Sequence, residues 1–136
     1  MGSRASRSCS RPRTAARLAE FGLDRALAAS GVRLVAPLPY IRFMSLVSGA
    51  AAVVTDSGGL QEETTYLGIP CLTLRDSTER PITIDEGTNR LVTPELAPAV
   101  LDAALSAGPS SPRKPEFWDG KTARRCLDDL KRRSGL

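Results

Sequence analysis

Histidine is absent from all 136 residues. That excludes a Ser-His-Asp triad, a Cys-His dyad and an HExxH zinc site within the chain. Cysteine is scarce. Cys9, Cys71 and Cys126 are scattered with no CxxC pair, which supports neither a disulfide framework nor a zinc ribbon and fits a reducing cytoplasm. No stretch approaches the roughly 18 apolar residues of a membrane span; the short AAAVV run, Ala50 to Val54, suits a buried strand instead. Aromatic residues make up only 4%, too few to interleave a basic surface in the manner of a nucleic-acid binder.

What is present is ordinary for one modest globular domain: 41% hydrophobic and 25% charged residues. The net charge of +4 is uneven. Seven arginines outweigh Glu20 and Asp24 in residues 1–33, the middle is acidic, and eight basic residues outweigh four acids in residues 113–136. Basic ends around an acidic centre describe a solvated surface rather than one basic face, so neither nucleic acid nor membrane is expected as a partner.

The opening MGSRASRSCSR has no acid and no apolar stretch. It lacks the hydrophobic region of a secretory signal, and disorder is expected over residues 1–10. One domain is expected over residues 11–136. Apolar residues at Ala15, Leu18, Ala19, Leu23, Ala26 and Leu27 follow helical spacing, with a break at Gly22. VRLVAP, AAVVT, CLTL and NRLVT predict four strands at Val32–Pro37, Ala51–Thr55, Cys71–Leu74 and Asn89–Thr93. Helices are expected after Pro39, from about Gly59 to Leu67 with Gly68 as terminator, as a short turn near Ile84–Glu86, and at about Pro94–Ala107 and Gly120–Arg133. GPSSPRKP between the last two reads as a linker. The strands lack in–out alternation, as expected of a parallel sheet buried on both faces by helices. The fold class is therefore α/β.

VVTDSGGLQEETTYLGIP is the most informative segment. A strand ends at Thr55, two glycines follow Ser57, and a helix begins at once. In a parallel sheet this turn lies at the ligand crevice, with helix N–H groups and the positive dipole end pointing into it. Gly58 and Gly59 carry no Cβ, so an anion can approach the backbone, and Ser57 adds a hydroxyl; together they favour a phosphate or diphosphate. The plainer alternative is a tight turn capped by Ser57 or Asp56. The segment is neither a P-loop nor GxGxxG. Glu62 and Glu63 are expected in about the first turn of the helix. Glu62 fits dipole stabilisation. Glu63 lies four residues after Gly59, on the same face, where it fits either that role or a ribose diol. RDSTERP follows the next strand and overhangs the same edge. Arg75 and Arg80 there are candidates for a phosphate clamp, or for surface pairs with Asp76 or Glu79. Phe43, at a loop–helix junction, fits either a stack on a base or core packing.

The stretch from LPYIRFM to EGTNRLV resembles the second-domain core of the non-hydrolysing UDP-N-acetylglucosamine 2-epimerases. TDSGGLQEE, LGIPCLTLRDSTERP and EGTNRLV occur in that family's order and spacing. RPRTAARLAEFGL resembles its preceding helix and WDGKTARRCLDDL its closing one. The resemblance implies a partial Rossmann-like second domain of a GT-B-type two-domain fold. It also implies interconversion of UDP-N-acetylglucosamine and UDP-N-acetylmannosamine, by elimination and re-addition of UDP, in cell-envelope polysaccharide biosynthesis. The UDP-sugar is the substrate, and no cofactor or metal is needed. Ser57, Gly58 and Gly59 would hold the diphosphate, Glu63 the ribose, and Arg80 the phosphates. Phe43 would contact uracil, helped by the backbone near Leu38.

The family draws its proton-transferring carboxylates from its first domain and uses an upstream His-Arg-x-Glu-Asn segment. Neither is in this chain, so its catalytic residues are unassigned. The expectation is a UDP half-site that is inactive alone, completed by a separate first domain or a second copy. The alternatives are a non-catalytic UDP or UDP-sugar binding module, and a glycosyltransferase fragment.

Overall fold

The structure, a computed structural model, describes residues 6–9, 12–108 and 114–135. These divide into two compact units, one ending at Ser45 and one beginning at Leu46, where the sequence predicts a single domain over 11–136. Each unit has its own parallel sheet.

In the first unit, β1 (Ser6–Cys9) precedes α1 (Pro12–Glu20), α2 (Leu23–Ala29) and β2 (Val32–Val35), and α3 (Tyr40–Ser48) begins. The expected break at Gly22 is real. This glycine adopts a left-handed φ of 64° between the two helices, a conformation that a Cβ disfavours. β1 corrects the expectation of disorder over residues 1–10 at Ser6–Cys9; the rest of that segment lies outside the described residues. β1 pairs in parallel with β2, from Ser6 opposite Val32 to Cys9 opposite Val35. Ladder bonds come from backbone amides, so a polar SRSC strand forms without the apolar pattern that would have announced it.

The second unit alternates strand and helix. β3 (Val53–Thr55), α4 (Gly58–Leu67), β4 (Cys71–Thr73), α5 (Ile82–Asp85) and β5 (Asn89–Leu91) are followed by α6 (Ala97–Ala107) and α7 (Thr122–Ser134). The strands run in the order β3-β4-β5, all parallel. The expected linker before α7 falls largely outside the described residues. α4 stops at Gly68 (φ 72°), where the Gly68 and Ile69 N–H groups fold back onto the Thr65 and Thr64 carbonyls at 3.1 and 2.9 Å. This closure satisfies the last carbonyls of the helix and needs a left-handed residue. α7 begins where Asp119 accepts the Lys121 N–H at 3.0 Å and grips the Arg125 guanidinium through both carboxylate oxygens.

Only β4 is buried along its length. β3 flanks it, and Val54 is 46% exposed, so the expectation of an AAVVT strand buried on both faces does not hold. A three-stranded sheet has one interior strand, and its outer strands lack a neighbour on one side. The core is divided in character. Val47, Leu60, Ile69, Cys71, Leu72 and Val92 are its buried apolar residues, and Gln61, Thr64, Thr65, Thr73, Thr83 and Asn89 are equally buried. Gly87 is packed into this core. A Cβ there would run into the Thr83 carbonyl oxygen and lie 2.6 Å from Thr65 Oγ1, so the residue before Thr88 must be glycine for β5 to dock.

Candidate functional site

The parallel register places Thr55, Thr73 and Leu91 side by side, so the carboxyl ends of β3, β4 and β5 share one edge. The DSGG turn leaves β3 there, and the Leu74–Pro81 loop leaves β4 there. The two segments singled out from sequence are therefore neighbours, at the edge where parallel sheets bind ligands.

Ser57 is the residue before α4, with extended backbone (φ −84°, ψ 126°) and no side-chain cap bond. The capping role open to it from sequence is not taken up. Its own N–H donates to Thr55 Oγ1 at 3.0 Å. The first four N–H groups of a helix lack intrahelical acceptors, which leaves the amides of Gly58, Gly59 and Leu60. Among the described residues, and apart from the helix's own backbone and the adjoining residues, a Cβ on Gly59 would meet no atom within 4 Å, and one on Gly58 would meet Arg75 Nη1 at 4.0 Å. The turn thus combines bare amides, open space and one guanidinium, an arrangement suited to an anion.

α4 begins at Gly58 and has no acid in its first turn, so Glu62 and Glu63 lie one turn further along than expected. Glu62 does not serve the helix dipole. It forms an ion pair with Arg80, Oε1 to Nε at 3.1 Å, both side chains being about half exposed (42% and 46%). That pair takes the place of the contact with Asp76 or Glu79 considered from sequence. The pair ties the TERP loop to the face of α4 next to Glu63, which is half-buried.

Beneath this surface runs a buried polar network with no motif to announce it. The Asn89 side-chain amide donates to Gln61 Oε1 at 3.1 Å and to Thr83 Oγ1 at 3.2 Å, and Asn89 Oδ1 accepts from Thr73 Oγ1 at 2.6 Å. Thr78 Oγ1 donates to the same Gln61 oxygen at 2.6 Å. Gln61 Nε2 is the buried side-chain polar atom left without a partner among the described residues. Gln61, Thr73, Thr83 and Asn89 form a buried network beside this sheet edge that sequence reasoning missed. The only available signal was an excess of Thr, Asn and Gln in segments that periodicity assigns to the core.

Leu38 and Phe43 belong to the first unit and are half-buried. Leu38 precedes α3, and the Phe43 N–H closes the first turn of α3 on the Pro39 carbonyl at 2.9 Å. Among the described residues no group of His, Cys, Asp and Glu is placed to hold a metal ion. Burial pushes the Cys71 thiol up from its ordinary range, against the opposing hydrogen bonds of Thr64 and Thr73, so it is a packing group rather than a nucleophile.

A family model described as UDP-N-acetylglucosamine 2-epimerase matches residues 8–131. The chain belongs to the UDP-N-acetylglucosamine 2-epimerase family. Within that family, the enzyme of Methanocaldococcus jannaschii is 37% identical over 117 residues, which are 85% of this chain and 32% of the relative. The enzyme of Methanococcus maripaludis is 46% identical over 81 residues, 59% of this chain and 22% of the relative. A crystal structure of the Methanocaldococcus jannaschii epimerase in complex with UDP-GlcNAc and UDP superposes with a TM-score of 0.76 at 35% identity, covering 95% of this chain and 36% of that one. The chain thus spans about a third or less of these epimerases. The α/β class, the parallel strands flanked by helices and the likeness to part of a GT-B-type epimerase agree with the sequence reading. No helix among the described residues is long and apolar enough to cross a membrane.

Proposed function

We infer that this chain contributes the uridine-diphosphate side of a UDP-N-acetylglucosamine 2-epimerase site, an isomerase site acting in the cytoplasm. The diphosphate rests on the Gly58, Gly59 and Leu60 amides with the Ser57 hydroxyl beside it, and Arg75 and Arg80 supply positive charge. Glu63 takes the ribose hydroxyls. The observation that carries this reading is the α4 N-terminus: no side-chain cap, open space at Gly59, and Arg75 against Gly58, inside a chain of the epimerase family.

The reaction inverts C2 of the sugar. Elimination of UDP needs a base for the C2 proton, and re-addition needs an acid to return one. The amides and guanidiniums described here act on the other half of the problem, stabilising the negative charge that grows on the departing diphosphate. With no histidine in the sequence and no carboxylate assigned to the sugar, these 136 residues are assigned UDP binding and charge stabilisation, and no proton transfer.

Calorimetry tests the binding claim. UDP is expected to bind and uridine, which lacks the phosphates, to bind at least tenfold more weakly (about 1.4 kcal/mol or more). Equal affinities, or no heat with UDP, refute the assignment. Deuterium wash-in at C2 of UDP-N-acetylglucosamine tests the second claim, since incorporation by this chain alone would show that it carries its own proton-transfer groups.

A further inference from the structure

The hydrogen bonds around Arg80 form a closed ring. The Arg80 N–H donates to Thr78 Oγ1 at 3.0 Å, and Thr78 Oγ1 donates to Gln61 Oε1 at 2.6 Å. The Asn89 amide donates to that same Gln61 oxygen at 3.1 Å and, with its other hydrogen, to Thr83 Oγ1 at 3.2 Å. Thr83 Oγ1 donates back to the Arg80 carbonyl at 2.7 Å. The ring begins and ends on the backbone of a single residue. It draws on α4, the β4–α5 loop, α5 and β5, and its middle members, Gln61, Asn89 and Thr83, are buried.

We propose that Asn89 is a positioning residue for Arg80, clamping both backbone groups of that arginine from inside the core. Arg80 is exposed and long, so its reach depends on where its Cα is held. The external Glu62 pair, half in solvent, is too weak to fix it. Asn89 suits the task because an amide presents two donors in one plane and an acceptor behind them. The two donors span Gln61 and Thr83, and the acceptor anchors on Thr73 of β4 at 2.6 Å. Aspartate at this position offers no donor, and leucine no polar atom.

The ligand arm of the test rests on the reading of Arg80 as a phosphate contact; the exchange arm does not. Asn89→Asp removes both donors. Thr83→Val removes one hydroxyl, and with it the bond to the Arg80 carbonyl and the bond from Asn89, with little change of volume, and Thr83→Ser keeps the hydroxyl. Amide hydrogen exchange by NMR is expected to speed up about fivefold at Arg80 in Asn89→Asp and in Thr83→Val, to recover in Thr83→Ser, and to stay unchanged at Val53 and Val92, whose N–H groups bond to Pro70 and Thr73 carbonyls elsewhere in the sheet. UDP affinity is expected to fall about fivefold in Thr83→Val and in Asn89→Asp, and neither change is expected to cost affinity in an Arg80→Ala background, as the coupling of a double-mutant cycle requires.

Unchanged exchange at Arg80, equal acceleration at Val53 and Val92, or an undiminished loss of affinity in the Arg80→Ala background each overturns the proposal. Should Asn89→Asp fail to fold, the Thr83 pair decides. Should the wild-type chain bind no UDP, the proposed function falls and the exchange arm alone decides whether Asn89 positions Arg80.

Discussion

Replacing Gly59 with alanine separates folding from binding by pushing them in opposite directions. Gly59 is the second residue of α4, its φ lies outside the left-handed region, and a Cβ there meets no atom within 4 Å. Glycine in a helix frees the unfolded chain without aiding the folded one, so alanine at such a position is worth about 0.4–1 kcal/mol of stability. For a chain of this size that raises the thermal midpoint by about 1–4 °C. The same methyl occupies the space through which a phosphate oxygen reaches the amide. A hydrogen bond to a charged group contributes about 1.5–3 kcal/mol, so UDP affinity should fall by about 10- to 150-fold. Thermal denaturation followed by calorimetry with UDP reads both. A variant that melts higher and binds UDP as tightly as the parent would show that the diphosphate does not lie on these amides. A variant that melts lower would show that the open space at Gly59 is wrongly described.

Three further expectations follow from the packing. Gly87→Ala should lose about 1–3 kcal/mol in urea denaturation, because its Cβ collides with backbone as well as with Thr65; an unchanged midpoint would mean that β5 docks otherwise. The Arg125 hydrogen bond, aided by the Lys121 N–H, holds the Asp119 carboxyl below its ordinary value of 3.8. A depressed carboxylate contributes stability above its unfolded value and loses it as pH falls through the folded one. Acid titration below pH 3.8 should therefore change the fluorescence of the neighbouring Trp118, and Asp119→Asn should remove that step. A thiol reagent should label the exposed Cys126 quickly and the fully buried Cys71 only after unfolding; rapid native labelling of both would contradict the core described here.

The Glu62–Arg80 pair shows where sequence reasoning stopped. Helical spacing placed Glu63 on the Gly59 face, and loop position placed Arg80 at the same sheet edge. Which acid meets which arginine depends on how the β4–α5 loop folds back over α4, and nearest-neighbour charge in RDSTERP pointed to the wrong partners. Val54 makes a similar point. The chain around it is apolar, but whether a strand is interior or outer is a property of the sheet, not of the strand.

Strand and helix alternation, the Gly22 break, the Gly68 stop, the DSGG turn and the family itself were legible in the order of residues, because each depends on local backbone preference or on a linked run of motifs. The Ser6–Cys9 strand, the division at Ser45, the place of Arg75 beside Gly58 and the ring through Asn89 were decided only by tertiary contact. Backbone pairing and buried amide bonds join residues far apart in the chain, and a polar side chain carries no local mark of whether it will end in water or in the core.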